Sequence, residues 1–171
     1  GEGWPGIEIL YNTQEAHRKI AVAIQQMWKS ELGIDVTISN QEWKVYLDAV
    51  TQIDFQVARR GWIGDYVDAN NFLDMFITGG GNNNTHYADP VYDDLILYKA
   101  PKAATREERY ALFTEAETML MEQMPIIPLY TYTSKHLIHP SVEGMYANLM
   151  DSLNLKYVKL VPGRTLPEAL R

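Results

Sequence analysis

The sequence predicts an α/β fold in which helices flank a mixed sheet, and three observations predict it. Residues 7–59 switch between strand-like and helix-like periodicity in the order strand, helix, strand, helix, strand. The 171 residues, 46% hydrophobic and 22% charged, suit one domain or slightly more with a filled core. After residue 64 the texture changes to polar turns, short helices and one long amphipathic helix.

Ile7 to Tyr11 alternates around Glu8 and reads as a strand, with Asn12-Thr13 as its stop and as the cap of the next helix. Between Gln14 and Leu32, Ile20, Ala23, Ile24, Met27 and Trp28 recur at helical spacing, and Gly33 ends the run. Ile34, Val36 and Ile38 alternate with Asp35 and Thr37, giving a second strand with one buried face. It pairs most easily in parallel with the first, through the crossover helix. Trp43, Leu47 and Val50 share one face of a short helix. Phe55 to Arg59 reads as a third strand.

Asp65 to Asn71 is polar, Phe72 to Ile77 is a short helical turn, and Thr78 to Thr85 (TGGGNNNT) is a flexible loop. Asp89-Pro90 opens another helix, the Asp as cap and the Pro in the first turn. Thr105 and Glu108 form a capping box ahead of a helix carrying Leu112, Phe113, Ala116, Met119 and Leu120, and Pro125 stops it. Ile126 to Tyr132 (IIPLYTY) is β-like, with Pro128 confining it to an edge or a bulge. Leu155, Tyr157 and Lys159 alternate with Lys156 and Val158 as a late strand, and the tail after Pro162 is expected to be loose.

Composition excludes several functions. A formal charge of -7 argues against a nucleic-acid surface, which needs clustered Lys and Arg. With no cysteine, disulfides, thiolate metal sites and cysteine nucleophiles are all ruled out. No apolar run reaches the ~18 residues of a membrane span. There is no G-x-S-x-G elbow, P-loop or dinucleotide fingerprint. His86, His136 and His139 lack metal-ligand spacing, so no cofactor or metal is called for. The opening GEGWPGIEILYN has no initiator Met, basic segment or apolar signal core, and reads as a piece of something longer.

The densest functional constellation is Arg59-Arg60-Gly61-Trp62-Ile63-Gly64-Asp65-Tyr66. It follows a strand, where ligands of α/β sheets bind. Its glycines let another main chain come close, and its acid can pair an ammonium group. The plain alternative is a turn with a surface ion pair. His17, in the first turn of the first long helix, is either a solvated helix histidine or faces the same strand-end cleft as Arg59. Asp65 with Asp68 can be drawn as an acid/base couple, but acids in a loop more often cap the next helix. The eleven Tyr and four Trp are consistent with a carbohydrate surface, although several occupy periodic core positions.

At Arg-Gly-Trp-Ile-Gly-Asp-Tyr the sequence resembles the oligopeptide- and dipeptide-binding proteins of ABC importers, the peptide/nickel-type extracellular solute receptors. The resemblance runs from about residue 7 to 160. It takes in Asn12-Thr13, His17-Arg18-Lys19, Leu32-Gly33-Ile34, Asn40-Gln41-Glu42-Trp43, Asp65 to Leu73, Asn82-Asn83, His86-Tyr87 and Met124 to Tyr130. It implies the C-terminal lobe of a type II two-lobe receptor. Residues 1–133 would be the peptide-binding lobe, and residues 134–171 a crossover and tail returning to an N-terminal lobe outside this sequence. It implies that Asp65 holds the peptide's α-amino group and that the Gly61 and Trp62 backbone meets the peptide main chain. Trp43 and Tyr132 would line side-chain pockets, and Arg59 and His17 would meet the C-terminal carboxylate, which favours oligopeptides.

The implied partners are an oligopeptide and ABC permease subunits. The implied location is the periplasm or a lipid anchor on the outer face of the cytoplasmic membrane, with any signal peptide outside this sequence. Two positions depart from the family pattern: Ala69 replaces a usual Pro, and Ile63 stands where some members carry a cysteine. The rival readings are a receptor for a dipeptide, murein peptide, nickel chelate or haem, a hydrolase built on Asp65 and His17, and a pure interaction module. Lacking any nucleophile, the chain is read as a non-enzyme.

Overall fold

The computed structural model describes Gly3 and residues 5–165. Strand β1 (Ile7–Asn12) is the centre of a three-stranded sheet, flanked by β2 (Val36–Gln41) and β3 (Val57–Ala58). Both neighbours run parallel to it, with Ile7 opposite Val36, Asn12 opposite Gln41, and Ile9 opposite Val57. Helix α1 (Glu15–Met27) links β1 to β2, and α2 (Trp43–Gln52) links β2 to β3.

The central strand is buried on both faces. Ile9 and Tyr11 pack with Ala21, Ile34 and Val36, against Ile24 and Trp28. Leu10 points the other way, onto Tyr46, Ala49 and Val50. With α1 on one face and α2 on the other, this is the sandwich that parallel strands require, since their crossovers place helices on the sheet. Glu8 lies at an exposed position, and its backbone N–H donates to Gln56 Oε1 at 2.7 Å.

Several local expectations change. The cap of α1 is Gln14, not Asn12-Thr13: its side chain accepts from the His17 N–H, while Asn12 completes β1. The helix is α-type only to Met27, then widens into a π-type turn over Trp28–Leu32 that Gly33 closes at φ 65°. Met27 is 60% exposed, so the packed face is set by Ala21, Ile24 and Trp28. On α2 the buried face is Tyr46, Ala49 and Val50, whereas Trp43 and Leu47 face solvent. The third strand is only two residues long, although Arg59 extends its ladder by donating to Leu10 O at 2.8 Å.

A second core gathers α3 (Asn70–Leu73), the 3₁₀ turn Asp74–Phe76, α4 (Pro90–Asp93) with the wider helical turn that follows it, and α5 (Arg106–Gln123). Leu73, Phe76, Tyr92, Leu95, Ile96, Phe113, Ala116 and Leu120 fill it. Asp89 caps α4 as expected, accepting from Val91 and Tyr92. The capping box of α5 closes one residue wide: Thr105 accepts from Glu108 N, and Glu108 reaches back to Ala104 N at 2.8 Å. Asn83 pins the Gly/Asn loop, because its Nδ2 lies 2.8–3.2 Å from the carbonyls of Phe76, Ile77 and Tyr87.

Residues 126–132 have no regular secondary structure and join no sheet among the described residues, and Ile127, Leu129, Tyr130 and Tyr132 are each more than half exposed. The expected late strand is shifted. Leu155–Tyr157 form a 3₁₀ turn, and the strand is β5 (Lys159–Leu160), antiparallel to β4 (Val142–Glu143). This antiparallel ribbon is a sheet of its own, separate from the three-stranded parallel one. The part of the expected loose tail from residue 166 onward lies outside the described residues.

Candidate functional site

The C-terminal ends of β1 and β3 lie side by side, and two groups of side chains converge there. The first centres on Arg59. Its carbonyl accepts from the buried Tyr46 hydroxyl at 2.6 Å, so α2 clamps the backbone at the strand end. Its guanidinium donates from Nη2 to the Tyr132 hydroxyl and lies 5.8 Å from that ring's centre. Tyr132 in turn fills the space a side chain at residue 61 would occupy. A Cβ on Gly61 would stand 3.1 Å from the ring and 3.3 Å from its oxygen. Glycine at 61 therefore lets the Tyr132 ring lie against the strand end.

His17 faces the same group from the first turn of α1. Its Nδ1 lies 2.8 Å from Asn12 Oδ1, at the last residue of β1. Burial lowers its pKa below the ordinary 6.5, and the positive charge of Arg59 lowers it further. The ring is neutral at pH 7, with Nδ1–H donating to Asn12 and Arg59 supplying the cation. Trp43 stacks on Tyr46 with ring centres 5.8 Å apart and planes 20° apart, and remains 55% exposed. It forms an aromatic rim over a buried tyrosine. Burial also raises the Tyr46 pKa, so its hydroxyl keeps its proton.

The second group holds Asp65. Residues 61–69 form an irregular loop, ordered from beneath by Asn71 of α3. Asn71 is 2% exposed, and its Oδ1 accepts from Trp62 Nε1 at 2.8 Å and from the Asp65 N–H at 3.2 Å. Gly64 makes room for this, since a Cβ there would meet the Phe72 ring at 3.2 Å and Asn71 Oδ1 at 3.6 Å. Asp65 is exposed, and its carboxylate has no hydrogen bond or ion pair to another described residue. Its charge helps to raise the pKa of nearby Asp74, on which burial acts most strongly.

Asp68 does not join Asp65 as an acid/base couple. It accepts from Asn70 N at 2.9 Å at the start of α3, and it pairs Arg109 of α5 bidentately at 2.7 and 2.9 Å. Those bonds hold its pKa below the ordinary carboxylate value. Asp68 is thus a structural acid and Asp65 an available one. An open depression of ≈ 460 Å³, lined by Asn70, Asp74, Ile77, Leu97 and Arg109 among others, shares none of the predicted site residues.

Arg59, His17, Gly61 and Tyr132 are therefore brought together, Trp43 borders them through Tyr46, and Trp62 and Asp65 are joined through Asn71. Three contributors escaped the sequence reading: Asn12, Tyr46 and Asn71. Each is a hydrogen-bonding residue whose partner lies on another element, and nothing local in the sequence marks that.

The chain belongs to the bacterial extracellular solute-binding proteins, family 5, whose middle-region sequence model matches residues 4–84. It has the fold of part of one lobe of their two-lobe receptors. It is 42% identical over 142 residues to the periplasmic murein peptide-binding protein of Escherichia coli, covering 83% of this chain and 26% of that protein. It is 39% identical over 142 residues to the oligopeptide-binding protein of Bacillus subtilis, covering 82% of this chain and 26% of that one. The Haemophilus influenzae oligopeptide-binding protein, solved in complex with the peptide RPPGFSPFR, superposes with a TM-score of 0.81. That match has 35% identity over 91% of this chain and 31% of the other. The chain thus spans about a quarter of the length of the curated relatives it matches. Among the described residues no helix is long and apolar enough to cross a membrane.

Proposed function

We propose that the chain forms the ligand-facing part of one lobe of a substrate-binding component of an ABC peptide importer, taking up oligopeptides through their termini and backbone. The observation that carries this is the exposed Asp65 carboxylate, which has no hydrogen bond or ion pair to another described residue. It is held on an ordered loop, a few residues from a strand-end cation, in a chain whose relatives are named for peptide binding.

Asp65 would pair the peptide's α-ammonium group, a feature of every peptide with a free amino terminus, whatever its side chains. The backbone at Gly61 and Trp62 would hydrogen-bond the peptide main chain. Arg59, with His17 behind it, would receive the C-terminal carboxylate. To do so Arg59 must exchange the Tyr132 hydroxyl for the ligand. Trp43 and Tyr132 would border side-chain pockets. In this reading no bond is made or broken, and closure of the two lobes signals to the permease. Residues 1–133 belong to the binding lobe and residues 134–171 to the return crossover. The receptor works in the periplasm or anchored outside the cytoplasmic membrane.

The test uses the full-length receptor and thermal stabilisation by free tri- to pentapeptides, the same peptides N-acetylated, and a nickel chelate. Free peptides are expected to stabilise it and acetylated ones to bind about 10- to 100-fold more weakly, the range of a charged hydrogen bond. Asp65→Asn is expected to erase that difference. Indifference to acetylation, or stabilisation by the chelate alone, would refute the assignment.

A further inference from the structure

We infer that Asn71 is a positioning residue for ligand recognition: through one oxygen it sets the relative placement of Trp62 and Asp65. The inference rests on the reading of Asp65 as the amine anchor and adds to it the residue that aims the anchor. Asn71 is the buried polar residue of the described core, 2% exposed. Its Oδ1 receives two donors from different parts of one loop, Trp62 Nε1 at 2.8 Å and Asp65 N at 3.2 Å. The loop between them has no regular secondary structure. It has no ladder to fix its shape, so these two bonds tie residues 62–65 to α3, while the Asp68–Arg109 pair ties the far end of the loop to α5.

The packing agrees. Gly64 sits directly over Asn71 Oδ1 and the Phe72 ring, where even a methyl group would be 3.6 and 3.2 Å away. Asn71 is anchored in turn by its place in α3, two residues before Leu73, whose carbonyl accepts from the buried Tyr92 hydroxyl at 2.6 Å. The single-turn helix α3, tied to the core through Leu73, therefore reaches up through one amide oxygen into the ligand-facing loop. Charge recognition is steep in distance and angle. A loop freed from Asn71 would still carry Asp65 but would offer it in many directions, and ordering it on binding would cost affinity.

The experiment measures the ratio of affinities for a free peptide and its N-acetylated form. It compares the full-length wild-type receptor with Asp65→Asn, Asn71→Leu and Asn71→Asp. Asn71→Leu removes the acceptor, and the ratio is expected to fall about tenfold, the equivalent of one hydrogen bond. Asn71→Asp keeps an oxygen at the same place and is expected to retain the ratio. Should Asn71→Leu fail to fold, Asn71→Ser carries the test, its hydroxyl being too short to serve both donors. A variant that only lowers the melting temperature, with the ratio unchanged, overturns the positioning role. That result leaves the Asp65 reading intact as long as Asp65→Asn abolishes the ratio. A wild-type receptor indifferent to acetylation overturns both.

Discussion

Asp68 and Arg109 connect the loop that bears Asp65 to the long helix α5, and replacing Arg109 with Met tests what that link contributes. The pair is bidentate, with N–O distances of 2.7 and 2.9 Å, and the side chains of Arg109 and Asp68 are 32% and 25% exposed. Hydrogen bonds between charged groups are worth about 1.5–3 kcal/mol each when well sheltered. Exposed pairs are worth at most about 1 kcal/mol. This pair lies between the two limits, so a coupling of about 1–2 kcal/mol is expected. Methionine keeps most of the aliphatic stem, while the guanidinium lying 4.5 Å from the Phe113 ring centre is lost as well. A double-mutant cycle with Asp68→Asn, read by urea unfolding at pH 7, cancels that second loss and isolates the pair. A coupling below about 0.3 kcal/mol would refute the reasoning, because bidentate geometry would then contribute no more than surface charge.

The same pair predicts a pH dependence. Hydrogen bonding by Arg109 holds the folded-state pKa of Asp68 below its ordinary value of 3.8. The unfolded state therefore binds the proton first as acid is added, and stability falls with falling pH. The contribution is complete above the ordinary value and lost as pH drops through the lowered one. The stability gap between wild type and Asp68→Asn should be constant from pH 7 to about 5 and close only below about 4.

Two further outcomes follow from the geometry. Gly144 sits at φ 80°, with the position of a Cβ only 2.0 Å from the Tyr157 carbonyl oxygen, so Gly144→Ala should open the β4–β5 ribbon. Faster amide exchange at residues 142–143 and 159–160 would show it, and unchanged protection there would contradict the packing. His17 should titrate below 6.5 by NMR, and Arg59→Gln should move it upward without restoring it fully, since burial is the larger cause. Its folded pKa is depressed, so neutral His17 costs nothing above 6.5 and stability declines as pH falls below that value. A His17 pKa unmoved by Arg59→Gln would place the two side chains further apart than described.

Much of the fold was legible because it rests on local patterns. Val36 and Ile38 mark β2, although Ile34, read with them, lies before its start; Gly33 at φ 65° marks the end of the helical run, and Asp89-Pro90 and Thr105 mark helix starts. These signals depend on backbone sterics and nearest-neighbour hydrogen bonds, which a residue carries wherever it stands. Hydrophobic spacing found the right helices but misassigned some faces. Spacing groups Trp43, Leu47 and Val50 on one face of α2, yet of these three only Val50 is buried, and it packs with Tyr46 and Ala49 on Leu10. The direction a helix faces is set by the sheet it lies on, which local spacing does not contain. The run Ile126 to Tyr132 has strand composition but no strand partner among the described residues, because a ladder needs a second chain segment beside it.

The site divides the same way. Charge, glycine and aromatic content at residues 59–66 make that stretch the candidate functional loop, beside the plain alternative of a turn with a surface ion pair. The tertiary structure alone separated the two acids, giving Asp68 to Arg109 across 41 residues of sequence and leaving Asp65 available. It also brought Tyr132 onto Gly61 and Arg59, and placed Asn71 beneath Trp62. The sequence by itself determined which chemical groups the loop carries. Only the folded chain decided which were neutralised by partners and which stayed open to a ligand, because pairing depends on distance in space and two of these contacts join residues more than 40 positions apart.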